Sequence, residues 1–283
     1  MTTDFLAQMA AGSRQRADVA KRGCSDVELL ARALASPLPP RLQRHAAGFD
    51  LIAEMKLRSP AVGQLKSGDE DVTARVTAYA RAGAAAVSVL TEPSRFDGSM
   101  AHLELATRAL TPLHVPAMRK DFIVDPIQVS EARLAGAGGV LVILRMLPRA
   151  ELDALIDRAR ELRLFVLLEA FDAADIELMH AIVESHAKSG VEMLAGVNCR
   201  DLTTLQIVPP RLDELAHLLP TSVSRVAESG VGSAEDARRV AAVGYELALV
   251  GSALMQGGDP GVLAAAMLNA GRGARARGPR EQR

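Results

Sequence analysis

Tryptophan is absent from the 283 residues, and all aromatic side chains together make up only 3%. A surface that stacks nucleobases needs aromatic rings, so this scarcity argues against a nucleic-acid partner. Net charge is equally scant: 33 Lys and Arg against 34 Asp and Glu leave -1. No overall field therefore steers the chain to nucleic acid or to a membrane surface. No apolar run reaches the roughly 18 residues that span a bilayer. The opening stretch, MTTDFLAQMAAGSRQR, carries an acid early and has no apolar signal core, so a cytosolic protein is expected. Cys24 and Cys199 lie far apart and outside any metal-type spacing, which points to two reduced thiols. The six histidines are scattered, with no HxH or HExxH pattern, and no metal site is expected.

What the chain does have is rhythm. Residues 1–48 read as helical: Ser25-Asp26-Val27-Glu28 fits an N-cap with an acid three residues on, and Pro37, Pro39 and Pro40 end the pattern. From residue 49, short apolar runs alternate with longer amphipathic stretches. The runs are DLIAEM (50–55), AAVSVL (85–90), HVPAMR (114–119), GVLVIL (139–144), LFVLLE (164–169), MLAGVN (193–198), SRVAES (224–229) and LALVG (247–251). Helix-like stretches follow at 69–82, 99–110, 126–135, 147–162, 172–184, 210–219, 233–243 and 261–270. Ala82-Gly83, Ala135-Gly136 and Val243-Gly244 suit left-handed helix caps just ahead of a strand. Eight such units predict an α/β fold, a (β/α)8 TIM barrel with an N-terminal helical extension. A doubly wound open sheet ranks second, because no GxGxxG follows the first strand. The expected division is an extension at 1–48, one barrel at 49–271 and a disordered Arg/Gly-rich tail at 272–283.

In such a barrel the working residues gather at the carboxyl ends of the strands. The first run places Glu54 and Lys56 two apart, hence on one face. Reading on gives Arg58 and Ser59, then Glu92, Lys120 with Phe122, Arg145, Glu169, Asn198 with Arg200, Glu228-Ser229-Gly230, and Gly251-Ser252. Small residues after strands 7 and 8 let backbone N–H groups approach a phosphate. Lys56 and Lys120 would share one cavity, where a second cation or burial lowers a lysine pKa into a usable range. Structural ion pairing is the competing reading for these lysines and glutamates. Phe96, Phe122 and Phe171 follow strands 2, 3 and 5 and could wall an aromatic substrate or pack a lid.

With those residues in view, the chain resembles the indole-3-glycerol phosphate synthase family. The resemblance runs from about residue 50 to 260 and rests on IAEMKLRSP, VSVLTEPSRFDGS, MRKDFIVDPIQVSEARLAGA, LLEAFD, GVNCRDL, AESGV and LVGSALM, in that order. The family also carries a helical segment over the barrel mouth, which matches residues 1–48. The resemblance implies ring closure, decarboxylation and dehydration of 1-(2-carboxyphenylamino)-1-deoxyribulose 5-phosphate, without a cofactor. It implies Lys120 as general acid at the ketone oxygen and Lys56 on the substrate carboxylate and in later proton transfers. Glu54 and Glu169 would act as acid and base, and Asn198 would position hydroxyls. Arg200, Arg58, Ser59, Ser229, Gly230, Gly251 and Ser252 would hold substrate and phosphate, with Glu228 in the same loop and Phe122 on the ring. The partner expected is thus a small phosphorylated molecule bearing an anthranilate ring, and the protein a monomer or weak homo-oligomer. Three departures stand out: Ala61 after Pro60 where Ser is usual, Cys199 where Asn is common, and a longer stretch at 182–191. Phosphoribosylanthranilate isomerase, which pairs Cys with Asp, and a catalytically dead barrel are the competing readings.

Overall fold

Side chains two apart on a strand share a face, and this chain uses the alternation twice over. Ile52, Ala86, Met118, Leu141, Leu167, Leu194, Val226 and Leu247 pack together as one apolar cluster. Their sequence neighbours Leu51, Val87, Val140, Val166, Ala195, Ala227 and Ala248 join a second cluster with the helices, among them Val76, Leu103, Val129 and Leu155. Strands apolar on both faces are what a parallel sheet wrapped in helices requires. The computed structural model describes residues 5–59, 63–65, 70–201, 204–256 and 258–276.

Eight parallel strands close into a barrel: β1 (Asp50–Met55), β2 (Ala86–Leu90), β3 (Ala117–Lys120), β4 (Gly139–Ile143), β5 (Phe165–Ala170), β6 (Met193–Asn198), β7 (Ser224–Glu228) and β8 (Leu247–Val250). β1 pairs with β2 on one side and β8 on the other, which completes the ring. Asn198 pairs with Glu228, and Glu169 pairs with Gly196. That register brings polar groups of three strands to one level.

Helices alternate with the strands: α3 (Val72–Arg81), α4 (Pro93–Phe96), α5 (Met100–Leu110), α6 (Pro126–Leu134), α7 (Arg149–Glu161), α8 (Ala173–Ser185), α9 (Pro210–Leu215), α10 (Ala234–Ala242), α11 (Ser252–Gln256) and α12 (Pro260–Ala276). Asp71, Ser99, Asp125, Asp172 and Ser233 each accept a backbone N–H in the first turn of the helix that follows. Gly83, Gly136 and Gly244 take the left-handed conformation expected of them.

Two helices precede the barrel, α1 (Phe5–Gly23) and α2 (Asp26–Ala35). Ser25 caps α2 by accepting from the Glu28 N–H, as its sequence pattern predicts. The segment travels the full height of the barrel. Leu6 and Met9 pack with the inward strand residues and Phe122 at the mouth. Asp26 takes a two-pronged bond from Arg158 on α7, both contacts 2.8 Å. The buried Arg133 of α6 then holds Ser36, donating 2.7 Å to its hydroxyl and 2.9 Å to its carbonyl. Leu42 joins the inward cluster from the base, where Arg44 donates to Asp50 at 2.8 Å and to the Glu246 carbonyl at 2.9 Å.

Two expectations need correction, and one element was not expected. The run 114–119 begins too early: His114 is left-handed and Pro116 lacks an N–H, so pairing starts at Ala117. The tail expected from 272 opens instead as helix, because α12 continues to Ala276 and Arg272 donates to the Phe49 carbonyl at 3.0 Å. Residues 277–283 lie outside the described residues. Finally, a short antiparallel ribbon, Arg58–Ser59 with Gly63–Gln64, follows β1.

Candidate active site

A cleft of about 790 Å³, part of it open to solvent, sits over the carboxyl ends of the strands. Its polar lining includes Glu54, Lys56, Lys120, Glu169, Asn198, Arg200 and Glu228; Phe5, Phe96, Phe122 and Phe171 supply much of the apolar half. Four of the six phenylalanines in the chain thus face one cavity.

Lys120 is the centre of the polar half. Its ammonium lies 3.3 Å from a carboxylate oxygen of Glu169 and 3.3 Å from one of Glu228. The Asn198 amide donates to the other Glu169 oxygen at 2.5 Å, which fixes that carboxylate. Lys56 pairs with Glu54 at 2.7 Å. Two ammonium groups therefore meet three largely buried carboxyl groups, and the balance decides the titrations. Burial pulls the Lys120 pKa down, but Glu169, Glu228 and Glu54 outweigh it and push it above the ordinary lysine range. This corrects the expectation of a lowered lysine pKa, for which a neighbouring cation would have to dominate. Burial raises the Glu54 carboxyl, yet Lys56 and Lys120 together hold it below the usual range. Glu228 goes the other way: burial first, then the negative charge of Glu169, push it up to about 8. Its second oxygen, Oε1, is buried without a hydrogen-bond partner. A carboxyl in that position holds its proton near neutrality.

Beside this cluster lies a second cleft, lined by Ser229, Gly230, Val231, Gly232, Gly251 and Ser252, with Lys56 and Arg200 on its border. Ser229 and Gly230 are consecutive left-handed residues, which turns their backbone sharply at the end of β7. Gly251 has no room for a side chain: a Cβ there would stand 2.4 Å from Glu54 Oε1 and 2.9 Å from Lys56 Nζ. One glycine thus keeps both the ion pair and the cleft open. Small residues, the turn at Ser229 and Gly230 and the cations Lys56 and Arg200 are the features of this cleft that favour a phosphate, set against the carboxylates of Glu54 and Asp236, which also line it.

A sequence profile of the indole-3-glycerol phosphate synthase family matches residues 7–266. The indole-3-glycerol phosphate synthase of Rhodococcus opacus (strain B4) is 39% identical over 260 residues, 90% of this chain and 92% of the relative. That of Nocardioides sp. (strain ATCC BAA-499 / JS614) is 42% identical over 249 residues, 87% of this chain and 91% of the relative. The chain belongs to the indole-3-glycerol phosphate synthase family. Among solved structures, 3-hexulose-6-phosphate synthase from Salmonella typhimurium superposes with a TM-score of 0.61 at 15% identity, covering 80% of this chain and all of that one, which speaks to the fold alone.

This synthase-family chain brings most of the residues expected from sequence into one place. Glu54, Lys56, Ser59, Lys120, Phe122, Glu169, Asn198 and Arg200 share the first cleft, and Ser229, Gly230, Gly251 and Ser252 share the second. Phe96 and Phe171 join Phe122 in the wall, as expected. Glu228, grouped with the phosphate loop from its position in AESGV, lies instead against Lys120; its side chain points inward from β7, one residue before the loop turns away. Arg58 lines neither cleft; it is exposed and lies 3.8 Å from Asp97. Glu92 caps α4, accepting from the N–H groups of Ser94 at 2.9 Å and Arg95 at 2.7 Å. Arg145 is held by Asp175 at 2.8 Å and lies over the Phe171 ring, 4.8 Å from its centroid. Ala61 and Val62 of the first loop lie outside the described residues. Sequence reasoning missed Phe5, Leu6 and Asp121, all of which line the first cleft. The first two sit in the helical extension, whose docking no local pattern reveals. Asp121 stood between two residues that were singled out.

Proposed function

We propose that this chain closes, decarboxylates and dehydrates 1-(2-carboxyphenylamino)-1-deoxyribulose 5-phosphate to indole-3-glycerol phosphate, as a carbon–carbon lyase of tryptophan biosynthesis. The observation that carries the reading is Lys120 pinned between Glu169 and Glu228, with an apolar wall on one side and the small-residue cleft on the other.

The substrate phosphate enters the cleft of Ser229, Gly230, Gly251 and Ser252, with Lys56 and Arg200 on its border. The anthranilate ring lies against Phe122 and its neighbours. The carboxyl-bearing ring carbon then attacks the ketone carbon, drawing electrons from the substrate nitrogen. Lys120, charged across the working range, protonates the ketone oxygen as its carbon–oxygen double bond opens. The iminium so formed is the electron sink for loss of CO2, which returns the electron pair to nitrogen. Dehydration needs a proton on the leaving hydroxyl and removal of one from the neighbouring carbon. Lys56, Glu54 and Glu169 stand within the same cavity for those transfers, and Glu228 supplies a protonated carboxyl beside Lys120. Asn198 keeps Glu169 aimed. No step in this scheme calls for a metal or an added cofactor.

A phosphoribosylanthranilate isomerase reading would need a Cys and Asp pair. Cys199 is buried and its thiol is pushed up by burial, which disfavours that role. Among the described residues, no helix is long and apolar enough to cross a membrane. We place the reaction in the cytosol, in a monomer or weak homo-oligomer, which light scattering checks. Purified protein mixed with the carboxyphenylamino substrate is expected to generate indole fluorescence without added metal or nucleotide. A folded protein that gives none contradicts the assignment. Lys120→Ala is expected to lose turnover by roughly a thousandfold or more while phosphate binding survives; near-normal turnover in that variant excludes Lys120 as the acid.

A further inference from the structure

The carboxylate of Asp121 is almost wholly buried between the proposed acid and the ring wall, yet nothing in the reaction uses it. Its contacts explain its presence. One oxygen accepts from the Phe122 backbone N–H at 2.8 Å and from Arg16 at 2.6 Å. The other accepts from the Thr91 hydroxyl at 2.7 Å and from Arg119 at 3.1 Å. Arg16 comes from α1, the helix that sends Phe5 and Leu6 into the cleft. The Phe5 ring meets the Phe122 ring edge-on, centroids 5.9 Å apart. One turn before Arg16, the fully buried Ser13 accepts from Gln128 at 2.8 Å, and Gln128 in turn accepts from the Val124 N–H at 2.9 Å. Helix α1 is therefore tied twice to the same loop, the one that follows Lys120.

We infer that Arg16 and Asp121 form a latch, in which Arg16 acts through Asp121 to hold α1 as a working wall of the ring pocket and to fix the Phe122 backbone. Arg16 is a positioning residue in this scheme: it lines neither cleft. Three features separate it from an ordinary surface pair. Its partner is buried, its guanidinium also lies 3.8 Å from the buried Glu92, and its Nε is itself sealed from solvent without a partner. Exposed pairs contribute little, whereas a charge-assisted bond to a buried carboxylate contributes more and is directional. The same helix carries an internal control. Arg14 meets Glu151 at 3.1 Å, with both side chains largely exposed.

The inference rests on the cleft being the ring-closure site, so the experiment has two arms. In the kinetic arm, Arg16→Ala is expected to raise KM for the carboxyphenylamino substrate roughly tenfold, with kcat within about threefold, because Lys120 keeps both its glutamates. Arg16→Lys restores most of the loss, and Arg14→Ala leaves KM within about twofold. In the second arm, amide hydrogen exchange across residues 5–23 is measured without any substrate. Arg16→Ala is expected to speed exchange there at least tenfold, and Arg14→Ala much less. If Arg16→Ala lowers thermal stability but leaves KM and the exchange unchanged, the latch is overturned while the proposed function stands. If the wild-type protein does not turn over substrate, the exchange arm still reads the latch by itself.

Discussion

A lysine between two glutamates is an arrangement with a definite electrostatic cost and a definite use. Against the pull of burial, Lys120 stays charged because the negative charges of Glu169 and Glu54 hold its proton, and Glu228 stays protonated because burial, and then the charge of Glu169, disfavour a further anion there. The sign for stability follows. The folded-state value near 8 lies above the ordinary 4.5, so the folded chain keeps a proton that the unfolded chain releases. The resulting stabilisation is fully present below the ordinary value and is lost as pH rises through about 8. Glu228→Gln removes that dependence: its urea midpoint should decline less between pH 6 and 9 than the wild-type midpoint does. A wild-type midpoint flat over that window, or a Gln variant with the same slope, would show that Glu228 is not the titrating group. At this scale much was legible in sequence. Period-two spacing placed Glu54 and Lys56 on one face, and strand-end positions collected Lys120, Glu169 and Asn198 in one cavity. The direction of the Lys120 shift was not legible, because it depends on how carboxylates from three separate strands add up. Nor was the idle position of Arg58, since a side chain beyond the strand end has no fixed face.

Elements were legible where a local signal marks their ends. Ser25 became the helix cap its pattern predicts, the stretches that begin at Ser99, Asp172 and Ser233 begin on capping side chains, and the glycines before β2, β4 and β8 became left-handed turns. Where proline and a left-handed histidine crowd the start of β3, the apolar pattern ran ahead of the strand. The course of the extension was hidden, because docking is set by distant partners such as Arg133. That side chain is buried and makes three bonds, to Ser36 Oγ, to the Ser36 carbonyl and, at 3.3 Å, to the Leu162 carbonyl. Arg133→Ala leaves those acceptors unpaired and a void behind them. A loss of about 2–4 kcal/mol in urea unfolding is expected, with kcat/KM little changed because the site is remote from the mouth. A loss below about 0.5 kcal/mol would mean that the N-terminal extension is not held there.

At the scale of the whole molecule, closure ties the start of the barrel to α12. Asp50 opens β1 and is buried; it accepts from Arg44 of the N-terminal extension at 2.8 Å and from Arg272 on α12 at 3.1 Å. Arg272 also reaches the Phe49 carbonyl, so the last helix is stitched to the first strand. Composition and repeat length made the barrel legible, but they started the tail inside α12, which runs to Ala276, because a Gly- and Arg-rich stretch carries no helix signal of its own. Arg272→Ala is expected to cost about 1–3 kcal/mol of stability, read by denaturant unfolding, while kcat stays within about twofold. An unchanged midpoint would show that the stitch is decorative. The barrel in turn serves one purpose at its mouth: it carries an ammonium, its glutamates, a ring wall and an anion cleft to a common point from separate strands. The direct test is release of labelled CO2 from substrate carrying the label in its ring carboxylate, followed together with indole product. The wild-type protein should release one equivalent per indole formed, and Lys120→Ala should release it roughly a thousandfold more slowly or not at all, while still binding inorganic phosphate. Label released at an undiminished rate by Lys120→Ala would contradict the account.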